Sequence, residues 1–164
     1  MVYEQLKLDN QLCFRLYAAS RLVIQMYEPW LSKLGLTYPQ YLVMLVLWEK
    51  NKMPVNDIAH RLLLETNTVT PLLKRMEVQK LIVRKRDGQD HRKIIVGLTH
   101  KGLRMKELAK EIPLEMSCQL QCMVSTPEQQ EEMMKMAGNL DRLIETLCTR
   151  INNYKQDVKE ERIK

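Results

Sequence analysis

The sequence predicts a mainly α-helical fold with a small β-hairpin: a winged helix-turn-helix flanked by long N- and C-terminal helices. Three observations predict it. Residues 55–99 read as two short amphipathic helices followed by two β-branched runs around Asp87-Gly88. Positive charge is concentrated on that stretch. Long apolar stripes at helical spacing lie on either side of it.

In the first short helix, Val55, Ile58, Ala59, Leu62 and Leu63 follow the 3.6-residue period. Thr66 is the expected N-cap of the second. There Val69, Leu72, Leu73 and Met76 turn inward, which leaves Asn67, Thr68, Thr70, Lys74 and Arg75 for solvent or DNA. Short polar and basic side chains at a helix start can approach base edges and phosphates. Pro71 lacks a backbone donor, so the first turn is expected to bend or start late. Ile82-Val83 and Ile94 to Val96 form the hairpin, with Gly88 at a tight turn. Such a hairpin can reach the minor groove beside the major groove that the helix enters.

Between Lys74 and Lys106 there are eleven Lys or Arg and three acids, whereas the rest of the chain has fifteen bases and seventeen acids. A net charge of +6 is thus focused on one segment, as a phosphate-binding surface requires.

Before this segment, Asp9 or Asn10 is expected to cap a helix reaching about Leu34. Its stripe is Leu12, Leu16, Ala19, Val23, Met26 and Trp30, with a kink or break expected at Pro29. Cys13 edges this stripe and Tyr17 lies one turn on. On spacing alone, Cys13 reads as a small buried apolar residue. Tyr27 shares its azimuth but lies fourteen residues along, ~21 Å in one helix, so it could meet Cys13 only from a second, antiparallel chain. Gly35 ends the helix, Thr37 to Gln40 form a turn, and residues 41–50 are apolar nearly all round. Tyr41 and Trp48 read as core, and Asn51 to Pro54 as a break.

After it, Gly102 to Met123 is expected to be one helix kinked at Pro113, with Leu108, Ile112, Met116, Leu120 and Met123 on one side. Ser125-Thr126-Pro127 restarts the chain, with Thr126 as N-cap and Pro127 first in the helix. Met133, Met136 or Ala137, Leu140, Leu143 or Ile144, Leu147 and Ile151 make a heptad-like stripe, which needs a partner helix. From Asn152 the charged end is expected to fray. Cys118 and Cys122 share a helix face, either as core or as reactive thiols, and Cys148 reads as packing.

Composition excludes several classes. The length suits one domain, and no apolar run spans a membrane. No secretory signal is evident, and the four cysteines lack a disulfide-framework spacing, so the chain is expected to be cytoplasmic. No zinc, P-loop or dinucleotide pattern is present; no metal or cofactor is expected. No His or Arg adjoins Cys13 as an activating group, so a thiol peroxidase is not the expectation.

The run D-G-Q-D-H-R (Asp87 to Arg92), followed by a strand, Leu98-Thr99 and Gly102, resembles the MarR family of dimeric bacterial repressors. T-N-T-V-T-P-L-L-K-R-M-E resembles that family's recognition helix, although Asn67 stands where a Gly is common. Q-L-C-F-R-L-Y, Tyr27 and L-T-Y-P-Q-Y-L narrow the resemblance to the OhrR sensors of organic hydroperoxide, over about residues 5–150.

The resemblance implies one MarR-type domain over 1–164, a DNA-binding lobe at 41–99, and dimerisation helices at 5–34 and 100–153. It implies a homodimer on a double-stranded operator with dyad symmetry, and organic hydroperoxide as inducer. It makes Cys13 the sensing thiol and Tyr17, Tyr27 and Tyr38 its stabilising neighbours, with Tyr27 and Tyr38 reaching across the dimer. By its two-cysteine subtype, it makes Cys118, and after it Cys122, the resolving thiol from the other subunit. Arg92 at the wing tip is expected in the minor groove, oriented by Asp90. The competing expectation is a MarR-type repressor released by a small phenolic or anionic ligand, with Cys13 inert.

Overall fold

The computed structural model describes residues 3–122, 124 and 126–161. Two compact units divide the chain, Met1–Met116 and Ser117–Lys164.

The first unit opens with two short 3-10 turns, then helix α1 (Leu12–Leu34). The residue capping α1 is Gln11, not Asp9 or Asn10, because residues 8–10 are already wound into a 3-10 turn. Pro29 does not break α1, which runs unbroken to Gly35. That glycine adopts φ +66°, the left-handed conformation that terminates helices at low cost. Of the predicted stripe on α1, Leu12 and Ala19 are exposed and Leu16, Val23, Met26 and Trp30 half-buried, and within α1 Leu31 alone is fully buried.

Helix α2 (Tyr38–Lys50) begins three residues earlier than the sequence suggests. Thr37 precedes it in extended backbone and donates its N–H to Gln40 Oε1 at 2.9 Å, while Pro39 sits where no donor is needed. The segment expected as a turn is therefore the helix's first turn. Val43, Met44 and Leu47 of α2 are fully buried, and Tyr41 and Trp48 are core as expected. The indole Nε1 of Trp48 donates to the Gly102 carbonyl at 2.9 Å.

Residues expected to be a break form strand β1 (Lys52–Pro54). Helices α3 (Val55–Arg61) and α4 (Thr66–Val78) follow. Leu63 is not on the α3 face. It lies in the turn, with φ 54° and 61% of its surface exposed. Thr66 is the first residue of α4 and Glu65 its N-cap, so the expected cap was one residue late. Pro71 neither delays nor interrupts α4. Val69, Leu73 and Met76 are buried against Val55, Ile58 and Ala59 in one core.

Strands β2 (Ile82–Arg86) and β3 (Ile94–Leu98) pair antiparallel, with Ile82 opposite Leu98 and Arg84 opposite Val96. β1 adds to the outer edge of β3, giving the order β1-β3-β2 with Met53 opposite Val96. The expected two-stranded hairpin is therefore a three-stranded sheet. Its wing is a loop from Asp87 to Lys93 closed by Asp87 N–H to Lys93 O at 2.9 Å, not a tight turn at Gly88.

The helix expected from Gly102 to Met123 is two, α5 (His100–Ala109) and α6 (Ile112–Cys122). Pro113 cannot donate to the Ala109 carbonyl, and its ring crowds that oxygen, so the chain breaks at Lys110-Glu111 rather than kinking. Thr99 caps α5, accepting from Gly102 N at 3.1 Å. Met105, Ala109 and Ile112 are core, but Leu108 is 69% exposed, which removes it from the predicted stripe. Met123, Ser125 and the side chain of Cys122 lie outside the described residues.

In the second unit, α7 (Pro127–Glu161) begins where Thr126-Pro127 predict. Thr126 N donates to Gln129 Oε1 and Gln129 N donates to Thr126 Oγ1, each at 3.3 Å, the reciprocal pair of a capping box. α7 continues past Asn152, where fraying was expected, to Glu161. None of its described residues is buried. Among the described residues, no helix is long and apolar enough to cross a membrane.

Candidate DNA-binding surface and thiol site

Helix α4 shows its apolar side to α3 and the sheet, which turns its other side outward. Asn67, Thr68, Lys74 and Arg75 are exposed there, as expected. Thr70 is half-buried and its hydroxyl donates to the Thr66 carbonyl at 2.7 Å, so that hydroxyl is occupied within the helix. Thr66 Oγ1 donates to Asn56 Oδ1 at 3.4 Å and ties the start of α4 to α3.

The wing is ordered by its acids. Asp87 Oδ1 accepts from Gln89 N at 2.7 Å and Asp90 N at 3.2 Å. These bonds hold the Asp87 carboxyl below the usual carboxylate range. Arg92 is 92% exposed at the loop tip and forks onto Asp90, Nε to Oδ1 at 3.1 Å and Nη2 to Oδ2 at 3.4 Å. That side-chain bond, with the Arg92 backbone N–H, lowers the Asp90 carboxyl as well. An exposed pair of this kind contributes little stability; its effect is to point a planar cation outward.

One feature of the surface was missed. Arg84 of β2 donates twice to Glu77 Oε2, at 2.9 and 2.7 Å, and its backbone N–H donates to Glu77 Oε1 at 3.0 Å. The Arg84 bond lowers the Glu77 carboxyl. The last turn of α4 is thereby locked to the base of the wing. Alternation along β2 puts Arg84 on the same face as the buried Ile82, but nothing in the sequence names its partner. A cleft of about 260 Å³ opens between α3, α4 and the wing, and Arg84, Arg92 and Lys93 line its basic side.

Cys13 is the second residue of α1 and is exposed, not a buried apolar residue. Its thiol therefore sits in the first turn of α1, at the helix N-terminus. Tyr17 is 59% exposed, and its hydroxyl accepts from Arg21 Nη1 at 3.3 Å. Tyr27 and Tyr38 are brought together, ring centroids 5.1 Å apart, with Tyr41 at 5.9 Å from Tyr27 and 6.4 Å from Tyr38. Burial raises the pKa of Tyr27 and, with Tyr27 beside it, that of Tyr38. Tyr41 is pushed up to about 12 by burial and by both neighbours. At neutral pH these phenols keep their protons and remain donors. Because α1 is continuous, Cys13 and Tyr27 of the chain are separated by ~21 Å of helix. Cys118 is exposed and Cys148 half-buried, and both are free, as is Cys13. Among the described residues, no group of His, Cys, Asp and Glu could hold a metal ion.

Residues 25–112 match the transcriptional regulator SarA/Rot family. The organic hydroperoxide resistance transcriptional regulator of Bacillus subtilis (strain 168) is 49% identical over 111 residues, 68% of this chain and 76% of the relative. Reduced AbfR bound to DNA, a Staphylococcus epidermidis protein, is 38% identical, with 86% of this chain and 97% of that one covered and a TM-score of 0.64. Disulfide-formed AbfR is 40% identical, with 87% and 95% covered and a TM-score of 0.60. The matched family and the B. subtilis relative are regulators and not enzymes. With a helix-turn-helix, a wing and these relatives, the chain belongs to the winged-helix transcriptional regulators of the SarA/Rot and MarR type, and among them it is OhrR-like.

Proposed function

We propose that this chain is a DNA-binding repressor of organic peroxide resistance, a homodimer that leaves its operator when Cys13 is oxidised. The observation that carries this reading is an exposed thiol at a helix N-terminus in a chain 49% identical to an organic hydroperoxide resistance regulator. The lobe at 41–99 meets double-stranded DNA of dyad symmetry. Helix α4 enters the major groove, with Asn67, Thr68, Lys74 and Arg75 facing bases and phosphates, while Thr70 keeps its hydroxyl on the Thr66 carbonyl. Arg92, steadied by Asp90, enters the minor groove. Segments 5–34 and 100–153 pair two copies, and Tyr27 and Tyr38 of one subunit donate to the Cys13 thiolate of the other. A DNA complex of the similar AbfR supports the DNA-binding part of this reading, and its disulfide form supports the redox part.

The Cys13 thiolate attacks the distal peroxide oxygen and the O–O bond breaks. Sulfur is oxidised to the sulfenic acid, and the leaving alkoxide takes a proton to become the alcohol. The anion that the phenols held is gone. The Cys118 thiolate of the partner subunit then attacks the sulfenic sulfur, a disulfide forms and hydroxide leaves, with Cys122 as the second choice of resolving thiol. Disulfide geometry needs Cα atoms within about 7 Å, so closure can move helices and the lobes attached to them. Release by a phenolic or anionic ligand without redox chemistry is not favoured, given the hydroperoxide regulator among the relatives.

The test is DNA retention with reductant and then with cumene hydroperoxide, for wild type and Cys13→Ser. Release of wild type alone, with a dimer-sized band on a non-reducing gel, is the expected result. Release of both proteins, or of neither, overturns the redox reading; a persistent monomer band overturns the intersubunit disulfide.

A further inference from the structure

Gln40 is 4% exposed, and among the described residues it is the polar side chain buried in the core. It lies in the first turn of α2, two residues after Tyr38. The backbone N–H of Thr37 can only donate, and it faces Gln40 at 2.9 Å, so the amide oxygen of Gln40 must point there. That leaves its Nε2, which donates to Gln79 Oε1 at 3.2 Å. Gln79 is the C-cap residue of α4, its backbone N–H bonded to the Arg75 carbonyl at 3.0 Å. One amide therefore joins the turn that carries Tyr38 to the end of the DNA-facing helix. The surrounding contacts between α2 and α4 are apolar and carry no direction. A hydrogen bond does, because slipping it strands the buried amide of Gln40 away from water.

We infer that Gln40 is a positioning residue that transmits the state of the Tyr27–Tyr38 pair to α4. While the phenols are held, Thr37 and Tyr38 stay in place, and Gln40 keeps the C-terminal end of α4 in register for DNA. When the phenols are released, the first turn of α2 shifts and draws Gln79, and α4 with it. This inference rests on the redox reading above, and the test separates the two.

The measurement is the ratio of DNA affinity before and after cumene hydroperoxide, on full-length protein and a duplex selected from a random pool by reduced wild type. Gln79 is exposed, so substituting it leaves the core in place. Gln79→Leu removes the acceptor and is expected to lower the ratio about threefold to tenfold, the worth of one such bond. Gln79→Glu restores an acceptor and is expected to keep the wild-type ratio. A sulfenic-acid-specific label should reach Cys13 equally in all three, which sets coupling apart from chemistry. If wild type releases and Gln79→Leu keeps its ratio, or Gln79→Glu loses it as Leu does, the inference is overturned. A wild-type ratio of one overturns the redox reading, and the inference with it.

Discussion

Arg92 holds no core together: its guanidinium is nearly all in solvent, forked onto Asp90. Removing it should therefore separate binding from folding. Arg92→Ala is expected to weaken DNA binding by about 1–3 kcal/mol, while thermal stability changes by no more than about 0.5 kcal/mol. Fluorescence anisotropy with a labelled duplex and a calorimetric melt check the two halves; unchanged affinity would remove Arg92 from the interface. Since the Asp90 carboxyl titrates below its usual range, the fork stays intact through neutral pH and opens only as pH falls through that lowered value. The pairing of Asp90 with Arg92 was legible in the sequence, two residues apart in a loop. The Arg84–Glu77 bond was not, because its partners belong to different elements and meet only when β2 docks beside α4.

At the level of elements, the junction between wing and α5 depends on close approach. A Cβ at Gly102 would collide with the Leu81 carbonyl oxygen, which also accepts from Thr99 N at 3.1 Å. Gly102 also presents its own carbonyl to Trp48. Gly102→Ala is expected to cost about 1–3 kcal/mol, read as a lower midpoint in urea. A variant as stable as wild type would mean that the strand end moves freely. Strand β1 escaped notice because Lys52-Met53-Pro54 has neither the length nor the composition of a strand. It forms because its partner, β3, is presented more than forty residues later.

For the molecule as a whole, α7 poses the largest unmet demand for burial. It is 35 residues long, and Leu140, Ile144, Leu147 and Ile151 leave 37–52% of their surfaces in solvent. A stripe of that length is stable in water when a second helix covers it. The double variant Leu140→Asp/Leu147→Asp is expected to sediment as a monomer and to lose the tight binding that two half-sites provide. A dimeric double variant would place the subunit contact elsewhere. The proposed redox reading calls for the same arrangement, since along the continuous α1 only a second copy could bring Tyr27 to Cys13.

Periodicity, turn chemistry and charge are local properties, and they sufficed for the presence and order of α3, α4 and the two hairpin strands, the start of α7 at Thr126-Pro127 and most of the outward face of α4. They also placed Cys13 near a helix start. The third strand, the Arg84–Glu77 bond and the bond between Gln40 and Gln79 were decided by tertiary structure. Each of these depends on what a distant segment offers: an open strand edge, or an acceptor at the end of another helix. A spacing rule along the chain contains no such information, because the energy that selects these features is gained only when the segments meet.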